Sequence, residues 1–72
     1  MPKDFRKFKK EIEEEGYLVE PTRGGHYAVK TKDGDFLEGF AVSHGKRTKG
    51  GEVWDPYVRL VMKAIKRHKG QL

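Results

Sequence analysis

The chain has no cysteine, only three prolines and one tryptophan, and no long apolar run. Without cysteine there is no disulfide scaffold, no thiolate zinc site and no cysteine nucleophile, and a reducing cytosol suits such a protein. No stretch approaches the roughly 20 apolar residues of a membrane-spanning helix. The first residues lack the apolar segment of a secretion signal. The expectation is a soluble, cytoplasmic protein with no membrane association. One domain is the expectation: 72 residues make one small unit, and a chain of that size buries only about 60% of the surface its unfolded form exposes. There are no internal repeats.

Charge is what the sequence does have. The formal net charge is +5, and it is unevenly distributed. Residues 1–42 carry eight basic and nine acidic side chains, a net of −1, whereas residues 43–72 carry eight basic and two acidic ones, a net of +6. A compact basic half can serve solubility alone. It also suits a polyphosphate partner, because each neutralised phosphate releases condensed counterions.

Phe5, Phe8 and Ile12 fall at helical spacing, with Asp4 placed to cap and Gly16 to terminate, so a first helix is expected near residues 4–15. Its charge order is unfavourable. Lys7, Lys9 and Lys10 come early and Glu13, Glu14 and Glu15 crowd the end, against the helix dipole, so packing must hold it. Strands are expected near residues 17–21, 26–31 and 36–42. Asp33-Gly34 is expected to form a type I′ hairpin turn, and Gly39 to mark a bulge or a close backbone approach.

Residues 43–52 read as a polar loop. Asp55-Pro56 then reads as N-cap and first helical residue of a second helix near 55–68. Its stripe is Tyr57, Leu60, Val61, Ala64, Ile65 and His68, with Gly70 as the stop. Trp54 before it is expected as a packing lid over the core, with base stacking as the alternative. The expected fold is a small α-β-β-β-α domain of the α+β class, a three-stranded antiparallel sheet covered on one face by two helices.

The stretch Arg23-Gly24-Gly25-His26 carries the candidate chemistry. Glycines permit positive φ, so a tight turn can hold the imidazole at an exposed strand end. Imidazole titrates nearest neutral pH, and the planar guanidinium of Arg23 suits a phosphate. The same triplet also reads as a hairpin turn followed by an ordinary surface histidine.

The chain resembles the HicA toxins, small bacterial ribonucleases with a double-stranded-RNA-binding-domain-like (dsRBD-like) fold. The resemblance runs through the helix ending at Gly16-Tyr17, Arg23-Gly24-Gly25-His26, the Asp33-Gly34 hairpin, the strand ending Val42-Ser43-His44, the Lys/Gly-rich loop from Lys46 to Gly51, and the closing basic helix. Two departures stand out. Ser43 replaces a proline common in that family, and residues 50–56 are inserted before the last helix.

The resemblance implies a metal-independent endoribonuclease, an mRNA interferase of a toxin–antitoxin pair, with His26 as the catalytic residue and no cofactor or metal. The imidazole would take the proton of a ribose 2′-OH, whose oxygen attacks the adjacent phosphorus and expels a 5′-OH. General-base catalysis of this kind contributes about 10²–10⁴-fold. Arg23, Gly24, Gly25, Lys30, Lys46, Arg47 and Lys49 are the candidate RNA-binding residues. His44 would be a second acid/base group, although a structural strand-end histidine is the favoured reading. The implied partners are single-stranded or messenger RNA and a cognate antitoxin protein. The alternative is a non-catalytic RNA- or DNA-binding module on the same fold. A protein-interaction adaptor would leave the basic half unexplained.

Overall fold

The computed structural model describes residues 3–43 and 50–70. Its elements in chain order are β1 (Lys3–Asp4), α1 (Phe5–Glu14), β2 (Leu18–Pro21), β3 (His26–Lys30), β4 (Phe36–Ser43), β5 (Glu52–Val53) and α2 (Asp55–His68). The protein is a small α+β domain. Among the described residues its sheet has five strands in the order β1-β5-β4-β3-β2, antiparallel throughout, so β1 and β2 form the two margins.

Five strands replace the expected three. The additional pair, β1 and β5, spans two residues each, too short to show alternation in sequence. Lys3 pairs with Val53 and Asp4 with Glu52, and the Phe5 N–H donates to the Gly51 carbonyl at 3.0 Å. These are backbone bonds that any side chain permits. Val53 is nonetheless fully buried and completes the core.

The core is one cluster. Phe5, Phe8 and Ile12 enter from α1, Val61 and Ile65 from α2, and Val19, Val29, Phe40, Val42 and Val53 from the sheet. The sheet residues stand in register with one another, Val19 with Val29, Tyr27 with Phe40 and Val42 with Val53. Both helices therefore pack on the same face. Three rings surround Phe40, with Phe8 edge-on at 5.4 Å, Tyr27 stacked at 5.8 Å and Phe5 tilted at 6.1 Å. Phe5 and Tyr27 also meet at 4.5 Å.

Asp4 caps α1, its Oδ1 accepting from the N–H groups of Arg6 and Lys7 at 2.9 and 3.2 Å. No basic residue lies in the last turn of α1. The cation comes from elsewhere: Lys69, just past α2, pairs with Glu15 at the C-cap. Beside it the Tyr17 hydroxyl bonds His68 Nδ1 at 2.6 Å. The two helix ends are thus clasped together.

Several local expectations are corrected. The N-cap of α2 is Trp54, not Asp55, and Asp55 instead pairs with Arg59 one turn on at 2.8 Å. Trp54 is 60% exposed and is no lid. The buried side of α2 is Val61 and Ile65 flanked by Tyr57, Val58 and Met62, so the stripe is rotated and Leu60 is 49% exposed. His68 is exposed. Asp33-Gly34 does not form a type I′ turn, since no described non-glycine residue has positive φ. The Gly34 N–H reaches the Thr31 carbonyl at 2.9 Å and only Gly34 is left-handed, the pattern of a type I turn closed by a glycine bulge.

Phe8 lies at the junction of α1 with Phe40 and is fully buried. Phe8→Ala is expected to lower unfolding free energy by about 3–5 kcal/mol, against under about 1 kcal/mol for half-exposed Leu60→Ala. Urea denaturation of both variants measures this, and equal losses would contradict the core described.

Candidate functional site

The Gly24-Gly25 pair forms the turn that the sequence reading assigned to Asp33-Gly34. Gly24 has φ 52° and Gly25 φ 83°, and the His26 N–H donates to the Arg23 carbonyl at 2.9 Å. Two positive central φ values closed by that bond are the marks of a type I′ turn, whose twist matches that of the strands it joins.

The start of β3 is fixed on both sides. The His26 carbonyl accepts from the Thr22 N–H at 2.9 Å and from Thr22 Oγ1 at 3.1 Å. The Val42 N–H donates to the Gly25 carbonyl at 2.9 Å, tying the turn to β4. A Cβ on Gly25 would stand 3.4 Å from the Val42 carbonyl oxygen, so a side chain there would crowd the neighbouring strand as well as strain the backbone.

Alternation then decides where the imidazole goes. Tyr27 is drawn into the ring cluster on the helix side, so His26 projects from the face that the helices leave uncovered. It is exposed, as is Arg23. Among the described residues no hydrogen bond engages the His26 ring and no carboxylate pairs with Arg23. The backbone is held while both side chains stay available.

Lys30 lies four residues along β3 on the same face, roughly 13 Å away at strand rise. Its ammonium is 2.9 Å from Glu20 of β2, so its charge is matched within the sheet. His44, Lys46, Arg47 and Lys49 lie outside the described residues, between Ser43 and Gly50. The structure thus brings Arg23, Gly24, Gly25 and His26 together and sets Lys30 apart. Sequence reading missed Thr22. Its signal was available: a threonine four residues before the histidine, at the closing position of a hairpin. Among the described residues no three His, Asp or Glu side chains converge as metal ligands.

Gly25→Ala is expected to cost about 1–2 kcal/mol, because an L residue at positive φ is strained. Gly24→Asn should cost less, since asparagine enters that region readily and nothing lies within 4 Å of a Cβ there. Denaturant midpoints of the two variants test the difference, and a neutral Gly25→Ala would refute the turn geometry.

Compared with known proteins, the chain matches no family model, no curated protein and no solved structure.

Proposed function

We propose that this protein is a metal-independent endoribonuclease of the HicA type, with His26 as the general base and Arg23 holding phosphate. The observation that carries this reading is an exposed imidazole on a doubly anchored type I′ turn, beside a guanidinium that has no ion-pair partner among the described residues. Support for a dsRBD-like arrangement comes from two helices on one face of an antiparallel sheet, in the order helix, three longer strands, helix.

In this mechanism neutral His26 removes the 2′-OH proton and the ribose oxygen attacks the adjacent phosphorus. The P–O bond to the 5′ oxygen breaks, and that oxygen leaves as a 5′-OH after protonation by solvent or by His44. The phosphate remains as a 2′,3′-cyclic diester. Arg23 neutralises charge on the non-bridging oxygens, where a cation is worth most as the pentacoordinate state forms. Lys30, Lys46, Arg47 and Lys49, with the backbone of Gly24 and Gly25, complete the RNA-binding set. An mRNA substrate places the action in the cytoplasm, and a cognate antitoxin would keep it in check.

A second reading, an RNA- or DNA-binding module without catalysis, is favoured by one feature. No described group orients the His26 ring, whereas general bases are usually held by a partner.

One experiment separates the two. Wild type should cleave single-stranded RNA in EDTA and leave 2′,3′-cyclic phosphate and 5′-OH ends. His26→Ala should lose at least about 100-fold in rate while keeping its fold and most of its RNA affinity. Full activity in His26→Ala, or a strict metal requirement, overturns the mechanism. Binding with no cleavage by wild type selects the second reading.

The cations have their own readout. For single-stranded RNA the logarithm of affinity should fall by about 0.7 per phosphate contact for each log unit of salt. Replacing Lys46, Arg47 and Lys49 together by alanine should flatten the slope by roughly 2. An unchanged slope makes these residues solubilising surface only.

A further inference from the structure

The irregularity in β4 has a consequence on the helix side of the sheet. Val29 pairs with Glu38 and Lys30 with Phe36, which leaves Leu37 as an extra residue without a partner. Such an insertion breaks the alternation of the strand. Leu37 and Glu38 both turn toward α2, while Phe36 stays on the opposite face, its ring against Gly39. The bulge thus lies beside Gly39 rather than at it.

Leu37 and Glu38 form one wall of an open groove of about 460 Å³, and Leu60, Lys63, Ala64 and Arg67 line the other. The α2 wall has two rows, each at i, i+4 spacing: apolar Leu60 and Ala64 beside basic Lys63 and Arg67. Leu60 is 49% exposed. Neither Lys63 nor Arg67 forms an ion pair among the described residues. The only acidic residue of α2, Asp55, is already paired with Arg59. Opposite, Glu38 spends one carboxylate oxygen on the Gly39 N–H at 3.0 Å.

An apolar row flanked by a basic row is complementary to a segment with the reverse chemistry, leucine-like side chains flanked by carboxylates. We propose that this groove docks an acidic amphipathic helix of a partner protein, its apolar side chains on Leu37, Leu60 and Ala64 and its carboxylates on Lys63 and Arg67. RNA suits the groove poorly. Leu37, Leu60 and Ala64 give it an aliphatic floor that buries apolar side chains but has no aromatic ring for a base to stack on. The groove lies across the sheet from His26, so a docked helix leaves the imidazole open. The inference does not depend on the nuclease reading.

The test is a selection from a displayed library of random helical peptides about 15 residues long. Wild type alone is the bait, and the Lys63→Glu/Arg67→Glu and Leu60→Asp variants are kept for binding measurements on the winners. All three positions are half-buried at most, and circular dichroism confirms the fold of each variant. The expected winners place Asp or Glu beside Leu, Ile or Phe at i, i+4 spacing. Their synthetic versions should bind wild type at least about tenfold more tightly than either variant, a difference of about 1.4 kcal/mol. A Lys10→Glu control on α1 should match wild type. No acidic amphipathic winners, or winners that bind both groove variants as well as wild type, overturn the proposal. So does single-stranded RNA whose affinity falls in Lys63→Glu/Arg67→Glu but not in Lys10→Glu, which would make the groove a nucleic-acid surface.

Discussion

The fold depends on the rings gathered around Phe40. Phe5 and Phe8 bring α1 down onto the sheet, and Tyr27 stacks across from the neighbouring strand. These contacts fix more than stability. A one-residue slip of β3 would send Tyr27 to solvent and His26 into the core, because strand side chains alternate with period two. The ring cluster therefore determines which face presents the imidazole. The turn glycines determine how close to the strand end it sits.

A second constraint acts at the far end of the molecule. Helix α1 ends in a run of glutamates that its own dipole disfavours. The clasp of Lys69 on Glu15 and of His68 on Tyr17 answers this from α2. Exposed ion pairs are worth little singly, but here one accompanies a hydrogen bond and an edge-on ring contact at 5.3 Å. In a domain with so few buried side chains, joining the two helix ends limits how far either can fray.

Much of this was legible in the sequence where a pattern was long enough to have a period. The stripe of Phe5, Phe8 and Ile12 and the alternation around Tyr27 and Val29 placed α1 and β3 correctly. The strands β1 and β5 were not legible, since two residues have no period and their bonds are all backbone. The type I′ geometry was expected at the wrong turn because Asp-Gly is favourable in either geometry, whereas Gly24-Gly25 tolerates the doubly left-handed turn with no steric cost. The rotation of α2 was missed because its apolar residues span a wide arc, and only the sheet decides which of them faces inward. At the site, the exposed imidazole followed from the glycines before it. The Lys30–Glu20 pair did not, because it joins residues ten apart on different strands.

The strand order carries one more consequence, for how the molecule behaves among copies of itself. A sheet with an open margin offers unpaired backbone groups to any passing strand, the first step toward fibrous assembly. Here one margin is β1, only two residues long and leading straight into a helix. The other, β2, has four residues, of which Glu20 carries charge and Pro21 has no N–H to give. Neither margin presents enough regular backbone to template growth. A sheet built mainly from three strands thus avoids edge-to-edge aggregation without closing into a barrel.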